Sequence, residues 1–382
     1  MKRIVRPAHL PDRPGIVELE RHLDPLLRCR AADEASNLRL KTTLRSWSAG
    51  VWDTAELLGP SLPTASEVHR GVGLSQRPVF VCGAARSGTT LMRDLLDGHP
   101  HLAVVPTESI FYTHLERALF GLTPDRHCRY IGTRWLELLV APPPYWLLGR
   151  SAHGKSPNVM FARRFAGWWQ IPDRQAGART PSWPLAALAL ACAQQLGGGR
   201  LPPTAARWVE KTPCSEHFLW RIWRDFPAAK VIHLVRRPEA VLASIKAMRP
   251  DAWNRRGALA HVVRRMARSY RIAAEGAAQW PRERYRLVRY EDLTADPDAT
   301  MREIATFLEI DHLPSLLQPS VAGLPAANNT SFGKTRPDLH RALDPVERGL
   351  LALAGGRAAA KLGYGPGLSA IPEHRIVGHP TQ

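Results

Sequence analysis

A short loop with the sequence GAARSGTT has the composition of an anion-binding site. Gly83 and Gly88 have the spacing of the nucleotide-binding pattern GxxxxGK[ST], in which backbone amides hold phosphate groups. Thr89 stands where that pattern has lysine, and Thr90 occupies its final Ser/Thr position. The amides at the start of the following helix still favour an anion, and Arg86 supplies a positive charge. The sequence therefore predicts an anion site without the lysine of ATP-binding loops, and no acidic strand end for holding Mg²⁺ is evident.

The longer stretch FVCGAARSGTTLMRDLLDGHP resembles the 5′-phosphosulfate loop of sulfotransferases that use 3′-phosphoadenosine 5′-phosphosulfate (PAPS). It is most similar to the branch that contains tyrosylprotein sulfotransferases and many bacterial sulfotransferases. This likeness lies in the donor loop, which does not recognise the acceptor. The resemblance implies that PAPS is the donor and that its 5′ end is bound by Arg86, Ser87, Gly88, Thr89 and Thr90.

The same family binds the 3′-phosphate of PAPS with an Arg at a strand end and a Ser eight residues later. The stretch VIHLVRRPEAVLASI offers Arg236 and Ser244 at that spacing. Pro238 begins a helix, so Ser244 lies about two turns into it and faces back toward the strand end. An arginine fork with a hydroxyl is a good receptor for a dianion. Arg237 replaces the Asp that commonly follows the family's Arg, which adds charge and leaves the pair intact.

Two further stretches agree with the resemblance. EKTPCSEHF is similar to the family's KxP strand end, and VRYEDLTADPDATMREIATFLEI is similar to its YEDL…P segment and following helix. The matched parts cover roughly residues 77–115 and 207–311. The resemblance therefore extends over both halves of a donor site and leaves the N-terminal and middle regions unmatched.

Sulfuryl transfer needs in-line positioning, charge stabilisation and a base for the acceptor proton. By the resemblance, Arg86 offsets charge on the donor phosphate, and Lys211 of the KxP match assists the leaving phosphate. Glu108 in VVPTES is the nearest candidate for the base that this branch carries after the HP helix end, one residue later than the usual spacing. A histidine is the base in the cytosolic branch, so His217 and His114 remain alternatives.

Three more residues are candidates for holding the donor. Tyr290 packs near the adenine or is a plain core tyrosine. Ser331 and Lys334 lie in the polar segment PAANNTSFGKTRP, and such segments close over the nucleotide in the family. The scheme requires no metal, and the sequence offers no clear set of metal ligands.

Strands and helices must position these residues. Buried strands are predicted at RPVFVCG, RWVEKTP, AKVIHLVRRP and RYRLVRYEDL, each followed by a helical stretch. This alternation predicts an α/β fold, a P-loop-like parallel sheet flanked by helices. Residues 1–75 are predicted to form a helical N-terminal extension, and residues 76–120 and 206–382 the PAPS-binding core. Residues 121–205 are predicted to form a Trp/Pro-rich helical cap insertion that binds the acceptor.

The tryptophans of the cap allow two interpretations: they line an aromatic pocket, or they pin loops together. These residues are Trp135, Trp146, Trp168, Trp169 and Trp183. We expect a small-molecule or glycan acceptor with a hydroxyl or amine group. An aromatic cap favours a lipidic, glycosidic or natural-product acceptor, while a carbohydrate polymer and a peptide tyrosine stay open.

A net charge of +18 favours anionic ligands through long-range attraction. The basic residues are spread along the chain without a nucleic-acid-binding motif, so we expect no nucleic-acid partner. Two alternatives remain for the function. A P-loop kinase or NTPase is disfavoured by Thr89. A basic nucleic-acid-binding protein would use the helix predicted at 255–272, whose apolar positions instead favour packing on the sheet.

The expected location is the cytoplasm. Five widely separated cysteines without CxxC spacing predict reduced thiols rather than disulfides or a zinc site. The N-terminus has charges where a secretory signal has apolar residues, and no run approaches the ~20 apolar residues of a membrane span. The sequence does not indicate an oligomeric state.

Overall fold

The fold is built on a five-stranded parallel sheet with the strand order β2-β3-β1-β4-β5. A computed structural model describes residues 34–139, 157–174, 180–248, 257–326 and 343–365. A two-stranded antiparallel hairpin, β6–β7, follows the sheet along the chain. The strands are β1 (Pro78–Gly83), β2 (Leu102–Val104), β3 (Arg207–Lys211), β4 (Lys230–Val235), β5 (Tyr285–Arg289), β6 (Ser320–Val321) and β7 (Leu324–Pro325).

Helices cover both faces of the sheet, as the α/β pattern predicts, so the predicted fold class is confirmed. Two single 3₁₀ turns (Ser215–Phe218 and Pro314–Leu317) and a π-helical turn (Phe111–Leu115) complete the described secondary structure. The α-helices in the first half of the chain are α1 (Glu34–Leu58), α2 (Ala65–Ser75), α3 (Thr89–Leu96), α4 (Glu116–Leu119), α5 (Pro124–Leu139), α6 (Pro157–Trp169), α7 (Ile171–Arg174) and α8 (Trp183–Leu196). Those in the second half are α9 (Leu219–Asp225), α10 (Pro238–Met248), α11 (Ala258–Gln279), α12 (Tyr290–Ala295), α13 (Pro297–Leu308) and α14 (Pro345–Lys361).

Each strand of the five-stranded sheet alternates its side chains between two apolar clusters. Phe80 of β1 and Trp208 of β3 belong to the cluster shared with the N-terminal and cap helices. Val79 and Val209 belong to the opposite cluster, which is shared with α3 and α13. Strands β1, β3 and β4 are buried along their whole length, as expected for central strands of a parallel sheet. The carboxyl ends of these three strands therefore open at one edge, where parallel sheets bind ligands.

Two parts of the sheet differ from the sequence prediction. β2 was not predicted, because three residues at a sheet edge are too short for a periodic pattern. The strand predicted over RYRLVRYEDL ends at Arg289, and Tyr290 already begins α12. Two acidic residues, Glu291 and Asp292, lie in the first turn of this helix, where the helix dipole favours them.

The described cap tryptophans are buried in the helical layer. Trp135 donates from Nε1 to the Ser109 carbonyl over 2.8 Å, and Trp183 donates to the Trp168 carbonyl over 3.1 Å. Trp169 packs edge-on against the ring of Phe165. These contacts favour the interpretation that the indoles hold the helices together. Trp146 lies outside the described residues.

The basic helix α11 packs its apolar side inward, as its pattern predicts. Val263, Met266 and Tyr270 are buried, whereas Arg264 and Arg268 are exposed. In the part of the chain that the structure describes, no helix has the length and apolar character that a membrane span requires.

Candidate active site

The loop between β1 and α3 presents the amino end of a helix at the edge of the sheet. Within the loop, Ser87 binds the Ala84 carbonyl through both its amide, at 3.1 Å, and its hydroxyl, at 2.6 Å. Arg86 has a φ of +73°, and Gly88 precedes the helix with a φ of +100°. No described side chain caps this end of α3, whose first-turn amides have no partner within the helix. The loop is therefore shaped to hold an anion with backbone N–H groups.

Both glycines of the loop are required by close approach. A Cβ on Gly83 would lie 2.2 Å from the carbonyl oxygen of Leu234 in β4. A Cβ on Gly88 would lie 2.4 Å from Cδ2 of Tyr290. The glycine spacing that predicts the loop thus also reflects close approach to the backbone of β4 and to the Tyr290 side chain of α12.

The structure brings the second predicted anion-binding pair into contact with the loop. Arg236 follows β4 directly and donates from Nη1 to the Arg86 carbonyl over 3.2 Å. Arg86 in turn donates from Nε to the hydroxyl of Ser244, in α10, over 3.0 Å. The guanidinium of Arg236 lies over the ring of Tyr290, 4.3 Å from its centroid, in a cation–π contact. Residues predicted for the two ends of one donor therefore form a single connected group.

Of the loop hydroxyls, Ser87 and Thr89 are buried and Thr90 is partly buried. Tyr290 is also buried and connects Gly88 to Arg236, so it belongs to the predicted site as well as to the core. Ser331 and Lys334 lie outside the described residues.

Lys211 and Glu108 form an ion pair beside the loop. Lys211 pairs with Val81 in the sheet register, which places it next to the strand that enters the loop. Its Nζ lies 2.6 Å from Oε1 of Glu108, and the two side chains are 3% and 41% exposed. Burial lowers the pKa of Lys211, whereas the nearby Glu108 raises it and Arg93 lowers it further. The arrangement joins a buried ammonium to a carboxylate that reaches solvent.

Polar contacts hold the segment that carries Glu108. Arg93 donates from Nη1 to the Pro106 carbonyl over 2.8 Å. The buried carboxylate of Glu210 accepts the Ser109 amide at 3.2 Å and the Ser109 hydroxyl at 2.7 Å. Burial raises the pKa of Glu210, and its hydrogen bonds oppose that shift. The residues on either side of Glu108 are therefore held by hydrogen bonds to Arg93 and Glu210.

The two histidine alternatives lie elsewhere. His114 is exposed on the π-helical turn, and its Nδ1 lies 2.9 Å from the Thr113 hydroxyl. His217 follows Glu216, and its Nε2 lies 3.7 Å from Oε1 of that carboxylate. Burial, together with the charges of Arg268 and Arg265, lowers the pKa of His217 to about 4. Of the three candidates for the base, Glu108 is the one with a described bond to Lys211.

Sequence reasoning missed three acidic residues that support the site. Glu210 binds Ser109, Glu216 accepts the Gly83 amide at 2.9 Å, and Glu291 accepts the Arg237 amide at 2.8 Å. Glu210 could have been found from the sequence, because it lies in a strand predicted to be buried and a buried carboxylate needs a polar partner. Within the described residues, no group of three or more His, Cys, Asp or Glu side chains has a metal-binding arrangement.

Known proteins resemble the chain. A family model described as "Sulfotransferase family" matches residues 78–314, more than half of the chain. Carbohydrate sulfotransferase 5 of Mus musculus and carbohydrate sulfotransferase 6 of Homo sapiens are each 36% identical over 104 residues. That match covers 23% of this chain and 26% of each relative, so the chain spans about a quarter of the length of the curated relatives it matches.

Solved sulfotransferase structures are also similar. A sulfotransferase domain from the curacin biosynthetic pathway is 19% identical, with a TM-score of 0.44 over 75% of this chain and 98% of that chain. A sulfotransferase from Alicyclobacillus acidocaldarius is 15% identical, with a TM-score of 0.41 over 75% of this chain and 94% of that chain.

Proposed function

The chain belongs to the sulfotransferase family, and on this premise we propose that it transfers a sulfuryl group from PAPS to a hydroxyl or amine of a carbohydrate acceptor. Sulfuryl transfer as the type of reaction follows from the family match. The carbohydrate acceptor is supported by the names of the curated relatives. The donor and the roles of single residues are supported by the geometry of the site.

One observation carries the choice of donor: the amino end of α3 and the pair Arg236–Ser244 are joined through Arg86. PAPS carries anionic groups at both its 5′ and 3′ positions, and the site offers a receptor for each. The uncapped helix end and Arg86 suit the 5′ end. Arg236 and the hydroxyl of Ser244 suit the 3′-phosphate, since a guanidinium and a hydroxyl form charge-assisted hydrogen bonds to phosphate. A triphosphate held by a P-loop lysine does not need this second receptor.

The bound donor would supply the sulfuryl group. Lys211 would stabilise the charge on the leaving oxygen, and Glu108 would accept the proton of the acceptor. As the acceptor oxygen or nitrogen bonds to sulfur, its proton passes to the carboxylate of Glu108. The bond between sulfur and the phosphate oxygen breaks, and the electron pair stays on that oxygen. The ammonium of Lys211 stabilises this negative charge, because it is held in a buried, low-dielectric position. The 2.6 Å contact holds the Lys211 and Glu108 side chains next to each other before the reactants separate them.

Transfer of radiolabelled sulfate tests this proposal. The full chain is incubated with [³⁵S]PAPS and a panel of oligosaccharides, with a simple phenol and a tyrosine peptide as competing acceptors. We expect label in at least one oligosaccharide. The rate of Glu108→Gln should be lower than that of wild type by a factor of about 100 or more, as for loss of a general base. Label only in the phenol or peptide would contradict the carbohydrate acceptor. Full activity of Glu108→Gln would contradict the proposed base.

A further inference from the structure

The first residue of the loop, Gly83, is held on both sides of its backbone by the segment that follows Lys211. Its amide donates to Oε2 of Glu216 over 2.9 Å, and its carbonyl accepts the amide of Cys214 at 2.8 Å. The loop start therefore does not depend on its own turn alone. It is tied to the carboxyl end of β3, the strand that carries the proposed catalytic lysine.

Gly83 is also packed closely against the rest of the loop and against β4. Its φ is +137°, and a Cβ there would lie 2.8 Å from the Ser87 hydroxyl as well as against β4. Ser87 closes the turn that leads to the amino end of α3. The direction of the Gly83 peptide thus sets where the anion-binding amides of the loop begin.

To make this contact, the carboxyl group of Glu216 is buried and loses its hydration. It is 1% exposed, and burial raises its pKa, whereas hydrogen bonds from Ser269 and Gly83 and the charge of Arg265 lower it. The neighbouring His217 does not supply a positive charge at neutral pH, because its pKa lies at about 4. A buried carboxyl without an ionised histidine beside it is held by hydrogen-bond donors, and the Gly83 amide is one of them.

We propose that Glu216 is a positioning residue for binding of the sulfuryl donor. It fixes the Gly83 amide and, through that amide, the start of the loop. The inference rests on the proposed function, because it assigns the loop to the donor. Glu216 itself contacts Gly83 and makes no contact with the reacting atoms in this scheme. The hydrogen bond from the Gly83 amide requires a side-chain oxygen of residue 216 at the correct distance from the backbone. Hydrogen-bond geometry rather than net charge therefore determines donor affinity.

Two conservative variants separate reach from charge. Glu216→Gln keeps the length of the side chain and one acceptor oxygen but removes the charge. Glu216→Asp keeps the charge but withdraws the oxygens by one methylene. Glu347→Asp is the matched control, because Glu347 is also buried and accepts a backbone amide, that of Asp344, at 2.8 Å in α14. The probe is adenosine 3′,5′-bisphosphate, whose Kd is measured by calorimetry on the full chain, with thermal unfolding of each variant alongside.

We expect Glu216→Gln to bind the bisphosphate within about threefold of wild type and Glu216→Asp to bind about tenfold more weakly or worse, the range for losing a buried hydrogen bond to a carboxylate. Glu347→Asp should bind like wild type even where its unfolding temperature falls. Weakening in Glu216→Gln as large as that expected for Glu216→Asp would show that the charge is required and overturn the proposal. Wild-type affinity in a folded Glu216→Asp would overturn it too. Failure of wild type itself to bind the bisphosphate would instead contradict the proposed function.

Discussion

Replacing Gly88 by alanine tests whether the loop and Tyr290 act as one unit. Gly88 has a φ of +100° and a ψ of 6°, a conformation that L-residues rarely adopt. The added methyl would lie 2.4 Å from Cδ2 and 3.1 Å from Cε2 of the Tyr290 ring. The ring is 9% exposed and stacks on the guanidinium of Arg236, so a shift of the ring disturbs that contact.

The cost has two parts. Holding an alanine in the left-handed region costs about 1–2 kcal/mol. Forcing a methyl group into a packed contact costs about 1–3 kcal/mol. We therefore expect Gly88→Ala to lower the free energy of unfolding by about 2–5 kcal/mol. Because Tyr290 must shift against Arg236, we also expect adenosine 3′,5′-bisphosphate to bind about tenfold more weakly or worse, the effect of displacing one charged partner.

Urea unfolding followed by circular dichroism gives the stability, and calorimetry gives the Kd. Gly349→Ala is the matched control, because it is the same chemical change at an exposed position of helix α14, where no atom outside the adjacent helix backbone lies within 4 Å of the new methyl. It should raise the free energy of unfolding by up to about 1 kcal/mol, since alanine is the better helix former. A Gly88→Ala variant with the stability and bisphosphate affinity of wild type would refute the packing of Tyr290 on the loop.

Further predictions concern Lys211 and the β6–β7 hairpin. Lys211→Met should lower the sulfuryl-transfer rate from [³⁵S]PAPS about 100-fold or more, because it removes charge stabilisation from the leaving oxygen; a rate like that of wild type would contradict its role. Burial lowers the pKa of Lys211 below its ordinary value of 10.5, so the wild-type rate should fall as the pH rises through that lowered pKa, and Lys211→Arg should move the fall to higher pH. Asp97→Ala should cost about 1–3 kcal/mol in urea unfolding, because Asp97 accepts the Ser320 hydroxyl at 2.6 Å and the Gly323 amide at 2.8 Å. Its bisphosphate Kd should match wild type, and a changed Kd would show that the hairpin contributes to the donor site.

Much of the fold can be predicted from local pattern. Central parallel strands are continuous apolar runs, and β1 and β4 agree with the predicted strands to within a few residues. Pro238 and the residues after it predict α10 correctly, because proline suits the first turn of a helix. The three-residue strand β2 is fixed by pairing with β3, which no local pattern records.

The loop that we propose to bind an anion can be predicted from its glycine spacing and its place before a helix, whereas the residues that support it cannot. Arg86 bonds to Ser244 across 158 residues of chain, and Glu216 bonds to Gly83 across 133. Such contacts depend on how strands are ordered in the sheet, and a spacing rule describes only residues near each other in the chain. The family resemblance supplies residue types for the two phosphate groups. The partners of the buried carboxylates Glu210 and Glu216, which are Ser109 and Gly83, follow only from the folded structure.

Calorimetric titration with adenosine 3′,5′-bisphosphate, with ATP–Mg²⁺ as the alternative nucleotide, tests directly whether this site binds PAPS. Wild type is compared with Arg236→Ala and with the matched neighbour Arg237→Ala. We predict micromolar binding of the bisphosphate, weakened about thirtyfold or more in Arg236→Ala and by no more than about threefold in Arg237→Ala, because removing a partner from a buried charged contact costs several kcal/mol. No bisphosphate binding by wild type, or tighter binding of ATP–Mg²⁺, would contradict the assignment of this site to PAPS.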